Sequence, residues 1–168
     1  MRKIVIIDDL DMNRDVFSSM LSRGGDFEVH TFADATSAID FLKETDHADL
    51  FAIFIDRGLA CNAEGRQTNG QEIVDFINGE RVKQNNHKLM PFLTMTGGNV
   101  GEEEWQVDGA LMCVLKPISY AQMKAFVEEF RNFHEVSTAT EALIPIKRGT
   151  PNVKRQLKKT GSAPFVID

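Results

Sequence analysis

The chain has 168 residues, 42% apolar and 26% charged, as expected of one soluble domain with a single core. No apolar run nears the roughly 20 residues that a membrane span needs, and the opening "MRKIVIIDD" meets two aspartates too soon for a signal peptide. The net charge of −6 is uneven: residues 137–168 hold six Lys and Arg against two acidic side chains, leaving an acidic body without the clustered cations that nucleic acid requires.

Five strands are expected, at 3–7, 28–32, 50–55, 92–96 and 111–115. The first and third are nearly unbroken apolar runs, the pattern of central parallel strands covered on both faces. Between the first two strands, residues 12–23 repeat at helical spacing and place Val16, Met20 and Leu21 on one face. Asp34 caps a helix over 35–44 that carries Ala38, Ile39, Phe41 and Leu42. Ile73, Val74, Phe76 and Ile77 mark a helix over 71–82. After Asn99 the acidic "VGEEEW" opens a short helix, since carboxylates suit the dipole there. Ser119 and Gln122 form a capping box for a longer helix with Met123, Phe126, Val127, Phe130 and Phe133. From about Ser137 the periodicity gives way to Thr, Pro, Gly and Lys, the composition of a flexible tail.

Alternating strands and helices imply an α/β fold with a five-stranded parallel doubly wound sheet and helices on both faces. Ligands of such sheets sit at the carboxyl ends of the strands. Those ends carry Asp8 and Asp9, then Asp56, then Thr96, then Lys116 followed by Pro117. One strand-end aspartate usually caps a helix, and one threonine usually serves a turn. All five groups in this order on these elements point instead to shared chemistry. Clustered carboxylates repel one another, and a divalent cation relieves that repulsion. All-oxygen ligands select a hard ion, Mg²⁺. A cation and Lys116 together could neutralise a transferring phosphoryl group, with a carboxylate as nucleophile. Cys61 and Cys113 have neither metal-site nor disulfide-framework spacing, which points to a reducing, cytoplasmic compartment.

The segments "IVIIDDLDMNR", "FAIFID", "NGQEIVDFI", "PFLTMTGGN" and "GALMCVLKPIS" resemble the receiver domain of two-component response regulators. The likeness covers about residues 1–133 and sets a receiver domain at 1–136, with an insertion at about 57–69 and a basic tail at 137–168. It implies a flavodoxin-like sheet of order 2-1-3-4-5. It implies that Asp56 accepts a phosphoryl group from a histidine kinase or histidine phosphotransfer protein. Mg²⁺ would be held by Asp9 and Asp56 directly, by Asp8 through water and by the backbone carbonyl of Gly58. Lys116 would pair with Asp56 and then with the phosphoryl oxygen, toward which Thr96 would be drawn. Output would be protein–protein interaction or phosphorelay to a downstream protein, without direct DNA binding or membrane attachment and with room for a homodimer. The chain would be a signalling protein rather than an enzyme.

Three departures qualify the resemblance. "RGLACNAEGRQTN" separates Asp56 from Gly70, a longer link than the family uses, readable as a loop extension or as a lid or partner contact. Cys113 stands where the family usually places a Tyr or Phe that turns inward when the threonine moves. The tail is too short and polar for a helix-turn-helix output domain, so a stand-alone receiver is expected. Gly58, Gly97 and Gly98 flank the acceptor without side chains, which predicts an open site and a short-lived phosphoryl state. Two rivals remain at this level. One is a receiver fold kept as a phosphorylation-independent scaffold. The other is a haloacid-dehalogenase-type phosphatase with Asp9 as nucleophile and Asp11 as acid/base, which leaves Asp56 idle and lacks a late acidic pair.

Overall fold

The computed structural model describes residues 1–23, 26–86, 88–97 and 107–139, with side chains described through residue 136. The helix expected after Asn99, the glycine at 98 and nearly all of the expected tail lie outside the described residues.

In chain order the elements are β1 (Arg2–Ile7), α1 (Asp11–Ser22), β2 (Phe27–Phe32), α2 (Ala35–Glu44), a 3-10 turn (His47–Asp49) and β3 (Leu50–Asp56). There follow β4 (Gly58–Cys61), β5 (Gln67–Asn69), α3 (Gly70–Lys83), β6 (Phe92–Thr96), β7 (Cys113–Leu115) and α4 (Tyr120–Ala139). The main sheet is parallel, with order β2-β1-β3-β6-β7. Leaving out the short pair β4 and β5, this is the expected 2-1-3-4-5 arrangement. The order reverses beside β1, so the carboxyl ends of β1 and β3 form the crevice that such sheets use for ligands.

The central strands are apolar because helices cover both of their faces. Every residue of β3 is buried. One core layer joins Val5, Ile7, Ile53, Ile55 and Phe92 to Ala38 and Leu42 of α2 and Ile73, Val74 and Ile77 of α3. The other joins Ile4, Ile6, Phe54, Leu93 and Met95 to Phe17 and Leu21 of α1 and Met123 and Phe130 of α4. Each such fully buried large side chain contributes about 1.5–3 kcal/mol of transfer free energy, so this double layer anchors the strand ends.

Helix starts follow the local chemistry. Asp34 Oδ1 accepts from the Ser37 amide at 2.9 Å. The Ser119–Gln122 box forms, with Ser119 N donating to Gln122 Oε1 at 2.8 Å and Gln122 N to Ser119 Oγ at 3.3 Å. A second box, Asn69 with Glu72, starts α3 and was not singled out from the sequence. In α1 the apolar face differs from expectation. Phe17 and Leu21 are buried and Met20 packs beside them, while Val16 is 42% exposed. The stripe i, i+3, i+4 starts one residue later, which turns Val16 outward.

Residues 57–69 form an antiparallel hairpin rather than an open loop, with Gly58 opposite Asn69 and Cys61 opposite Gln67. Leu59 is its buried anchor, at 3% exposure. Thr68, at 1% exposure, donates its hydroxyl to the Ala60 carbonyl at 2.7 Å and accepts from the Ala35 amide at 3.0 Å. Ala60 N donates to the Ala33 carbonyl at 2.9 Å. The hairpin is thereby fastened to the start of α2.

Candidate functional site

Each sequence-predicted group among the described residues arrives at the same edge of the sheet. Asp8 and Asp9 follow the last residue of β1, Asp56 ends β3, Thr96 ends β6 and Lys116 follows β7. Parallel pairing sets this convergence, since Ile7 lies opposite Ile55, Asp56 opposite Met95 and Thr96 opposite Leu115. Asp8, Asp56 and Thr96 are buried, whereas Asp9 is exposed at the rim.

Lys116 Nζ sits 2.9 Å from Asp8 Oδ2 and 2.9 Å from Asp56 Oδ2. One ammonium thus bridges two carboxylates from β1 and β3. Asp56 Oδ1 accepts from the Arg57 amide at 2.9 Å. Asp8 Oδ1 accepts from the Leu10 amide at 3.0 Å. Asn13 Nδ2 lies 3.0 Å from Asp8 Oδ1 and 3.1 Å from Oδ2. Arg14 donates to the Asp8 carbonyl at 2.6 Å and pairs with Asp11. Asn13 and Arg14 escaped the sequence reading because polar residues in a first helical turn read as capping or solvated positions.

Burial is the largest influence on Asp56 and pushes its carboxyl up to about 6 against the opposing pull of Lys116, with the Asp8 charge adding to the rise. Burial alone would lower Lys116, but its hydrogen bonds and charge pairing with Asp8 and Asp56 outweigh it and raise the ammonium pKa. The protein groups of the cluster alone are therefore short of positive charge.

A divalent cation fits that deficit. Carboxylate oxygens of Asp8, Asp9 and Asp56 lie within 4.8 Å of one another. This is a hard-oxygen donor set of the kind Mg²⁺ accepts together with several waters. Gly58 opens β4 two residues beyond Asp56. Its register pairing with Asn69 holds the backbone there in a ribbon. Among the described residues, a Cβ added at Gly58 or Gly97 would meet nothing within 4 Å.

Cys113, half-buried in β7, is the register partner of Thr94. The Thr94 hydroxyl is buried without a hydrogen-bond partner among the described residues.

No protein-family model matches this sequence, and no curated protein matches it either. Solved structures do. A response regulator receiver domain protein from Clostridium thermocellum superposes with a TM-score of 0.62 at 17% identity, over 82% of this chain and 99% of that one. The N-terminal domain of a response regulator/sensory box/GGDEF three-domain protein from Carboxydothermus hydrogenoformans gives 0.60 at 17% identity, over 82% and 99%. NtrX from Brucella abortus, solved in complex with ADP, gives 0.60 at 24% identity, covering 95% of this chain but 33% of NtrX. The chain therefore has the fold of response-regulator receiver domains, and the likeness spans most of its length. Among the described residues, no helix is long and apolar enough to cross a membrane.

Proposed function

We propose that this chain is a response-regulator receiver that accepts a phosphoryl group on Asp56 from a histidine kinase or histidine phosphotransfer protein. The observation that carries the reading is the bridge of Lys116 to both Asp8 and Asp56 at 2.9 Å, beside the exposed Asp9. In the reaction, an Asp56 carboxylate oxygen attacks phosphorus. An O–P bond forms, the P–N bond to the donor imidazole breaks, and the departing imidazole takes a proton from solvent. Lys116 stays with the acceptor and balances the charge carried in with the phosphoryl oxygens. Thr96, at the end of β6, offers its hydroxyl to one of those oxygens. Mg²⁺, held by Asp9, Asp56 and the Gly58 carbonyl with Asp8 through water, would supply further charge neutralisation.

The product would signal in the cytoplasm through a partner protein or pass its phosphoryl group onward. The phosphatase reading with Asp9 as nucleophile is disfavoured, because Asp9 is exposed at the rim while Asp56 holds the buried, lysine-paired position. The scaffold reading has to explain why buried carboxylates and their ammonium are retained, a costly arrangement without a cation or a reaction.

Incubation with acetyl phosphate or phosphoramidate and Mg²⁺, read by intact-protein mass spectrometry, tests the assignment. A Mg²⁺-dependent phosphoryl adduct that is lost in Asp56→Asn is the expected result. An adduct surviving in Asp56→Asn would transfer the nucleophile to Asp9. Absence of any adduct would favour the scaffold.

A further inference from the structure

The main sheet ends in β2 on one side and β7 on the other. β7 is three residues long, a shortness that protects an edge from pairing. β2 has no such protection. It runs six residues, "FEVHTF", in unbroken register with β1. It carries no Lys, no Pro and no bulge, the other devices that keep an edge from pairing. All six residues are at least partly exposed. Alternate residues of an edge strand direct their N–H and C=O groups away from the sheet. Among the described residues, no main-chain group meets those of Phe27–Phe32 on the outer side. The hairpin reaches this edge only past its end, where Ala60 N donates to the Ala33 carbonyl.

The polar groups of β2 are symmetric about Val29. Glu28 precedes it and His30 follows, and alternation puts both on one face. There the His30 ring lies 4.4 Å from that of Phe41 on α2. His30 Nε2 is 3.0 Å from Glu28 Oε1, yet the two are not aligned as a hydrogen bond. Their side chains keep 25% and 45% exposure, so both can meet a further partner.

We propose that β2 is a dimerisation edge, on which a second copy of this chain lays its own β2 antiparallel about a two-fold axis through Val29. In that register Val29 faces its own copy, and Glu28 of each chain faces His30 of the other. The acid–imidazole pair is thus made twice, as a self-complementary interface requires. A slip of one residue in either direction sets Glu28 opposite Val29 or Thr31 and loses both pairs. Main-chain hydrogen bonds supply the affinity, and the two pairs fix the register. An imidazole keeps one N–H donor even when neutral, so the pairs form without a charged ring. The contact lies on the sheet's outer edge and does not depend on the phosphoryl reading.

Sedimentation equilibrium of the full chain, from micromolar to millimolar concentration, tests the proposal, with thermal melts to verify folding. The parent should form a reversible dimer. Glu28→Lys and His30→Glu each spoil both pairs and should weaken association about tenfold. Mixed in equal amounts, the two variants bring opposite charges together at both pairs and should associate nearly as the parent does, a recovery that a folding defect cannot produce. Thr31→Lys, at an exposed position, puts a guarding charge on the edge and should also weaken the dimer. Val29→Cys gives a reading independent of charge. Directly opposed Cα atoms of antiparallel strands lie about 4.5–5.5 Å apart, within disulfide reach. Mild oxidation in a Cys61→Ser background, which removes the exposed native thiol, should therefore link two chains through position 29, as read by peptide mapping. A parent that stays monomeric at the highest concentration would overturn the proposal. So would a dimer indifferent to these substitutions, folded variants that fail to recover on mixing, or no link at position 29.

Discussion

Lys116 Nζ and Asp56 Oδ2 meet at 2.9 Å across two strands, and the contact leaves Asp56 with a raised pKa all the same. Burial of the carboxylate exceeds what half an ammonium returns, because Asp8 claims the other half. Asp56 thus destabilises the folded domain when ionised.

A pH dependence follows. Asp56 titrates near 6 in the folded chain and near 3.8 unfolded, so between these values the folded state binds more protons. Stability must then fall as pH rises from about 4 to about 6 and level off above, with a contribution on the order of 2 kcal/mol after allowing for water at the open rim. Asp56→Asn should remove this slope and melt higher than the parent at pH 7.5 without metal. Millimolar Mg²⁺ should raise the parent's melting temperature and leave Asp56→Asn nearly unmoved. Urea titrations at pH 4.5, 5.5 and 7.5 check the sign; rising stability across this range would contradict it.

If Asp56 accepts a phosphoryl group as proposed, the rim glycines should set its lifetime. Among the described residues, neither Gly58 nor Gly97 would crowd a neighbour with an added Cβ, and neither has a positive φ. Gly58→Leu and Gly97→Ala should therefore fold with stability changes within about 0.5 kcal/mol. Each places carbon where water now has access, so loss of the phosphoryl adduct should slow several-fold, most strongly in the double variant. Decay of the mass-shifted species after donor removal measures it. Unchanged decay in the double variant would mean that water reaches the phosphorus by another side.

The sheet and the residues at its strand ends were legible because both depend on short-range rules. β1 and β3 announce themselves as apolar runs, and Asp34, Ser119 and Gln122 cap helices through neighbours three residues away. The site residues follow from strand ends once the sheet is parallel. What stayed hidden depends on distant partners. β4 and β5 are four and three residues long, too short for periodicity, and exist because Thr68 and Ala60 find Ala35 and Ala33. Asn13 meets the Asp8 carboxylate only in the fold. Val16 was misplaced because a one-residue rotation of the α1 stripe follows from packing on the sheet and not from spacing.

Thr68 is the fastening of the hairpin that follows Asp56. Thr68→Val keeps the shape but removes a donor and an acceptor, taking the hydroxyl away from the Ala60 carbonyl and from the amide of buried Ala35. The expected loss is about 1–3 kcal/mol, while Thr68→Ser should retain most of the stability. Because the hairpin begins at Gly58, the valine variant should also become sensitive to limited proteolysis between residues 57 and 69 before the rest of the domain. Cleavage that begins elsewhere would show that the hairpin holds without this hydroxyl.

Arg81 presents the opposite case, a buried cation that no carboxylate among the described residues neutralises. It is 3% exposed and stacks over the Phe92 ring at 5.1 Å. Nε donates to the Leu89 carbonyl at 2.7 Å, and the two terminal nitrogens donate to the carbonyls of Gly109 at 3.0 Å and Met90 at 3.1 Å. Burial lowers its pKa to about 10, so it stays charged at neutral pH. The guanidinium ties the end of α3 to the approaches of β6 and β7, the strands that deliver Thr96 and Lys116. Gly109 takes φ +88°, and an added Cβ would lie 2.4 Å from an Arg81 nitrogen. Arg81→Met should cost about 3 kcal/mol through three orphaned carbonyls. Arg81→Lys should recover little, because one ammonium cannot span the three sites of a planar fork. Gly109→Ala should be as damaging as Arg81→Met, and the two losses should fall well short of additive when combined, since both break the same contact. Full additivity in chemical denaturation of the double variant would separate the glycine's backbone role from the arginine's and refute the shared link.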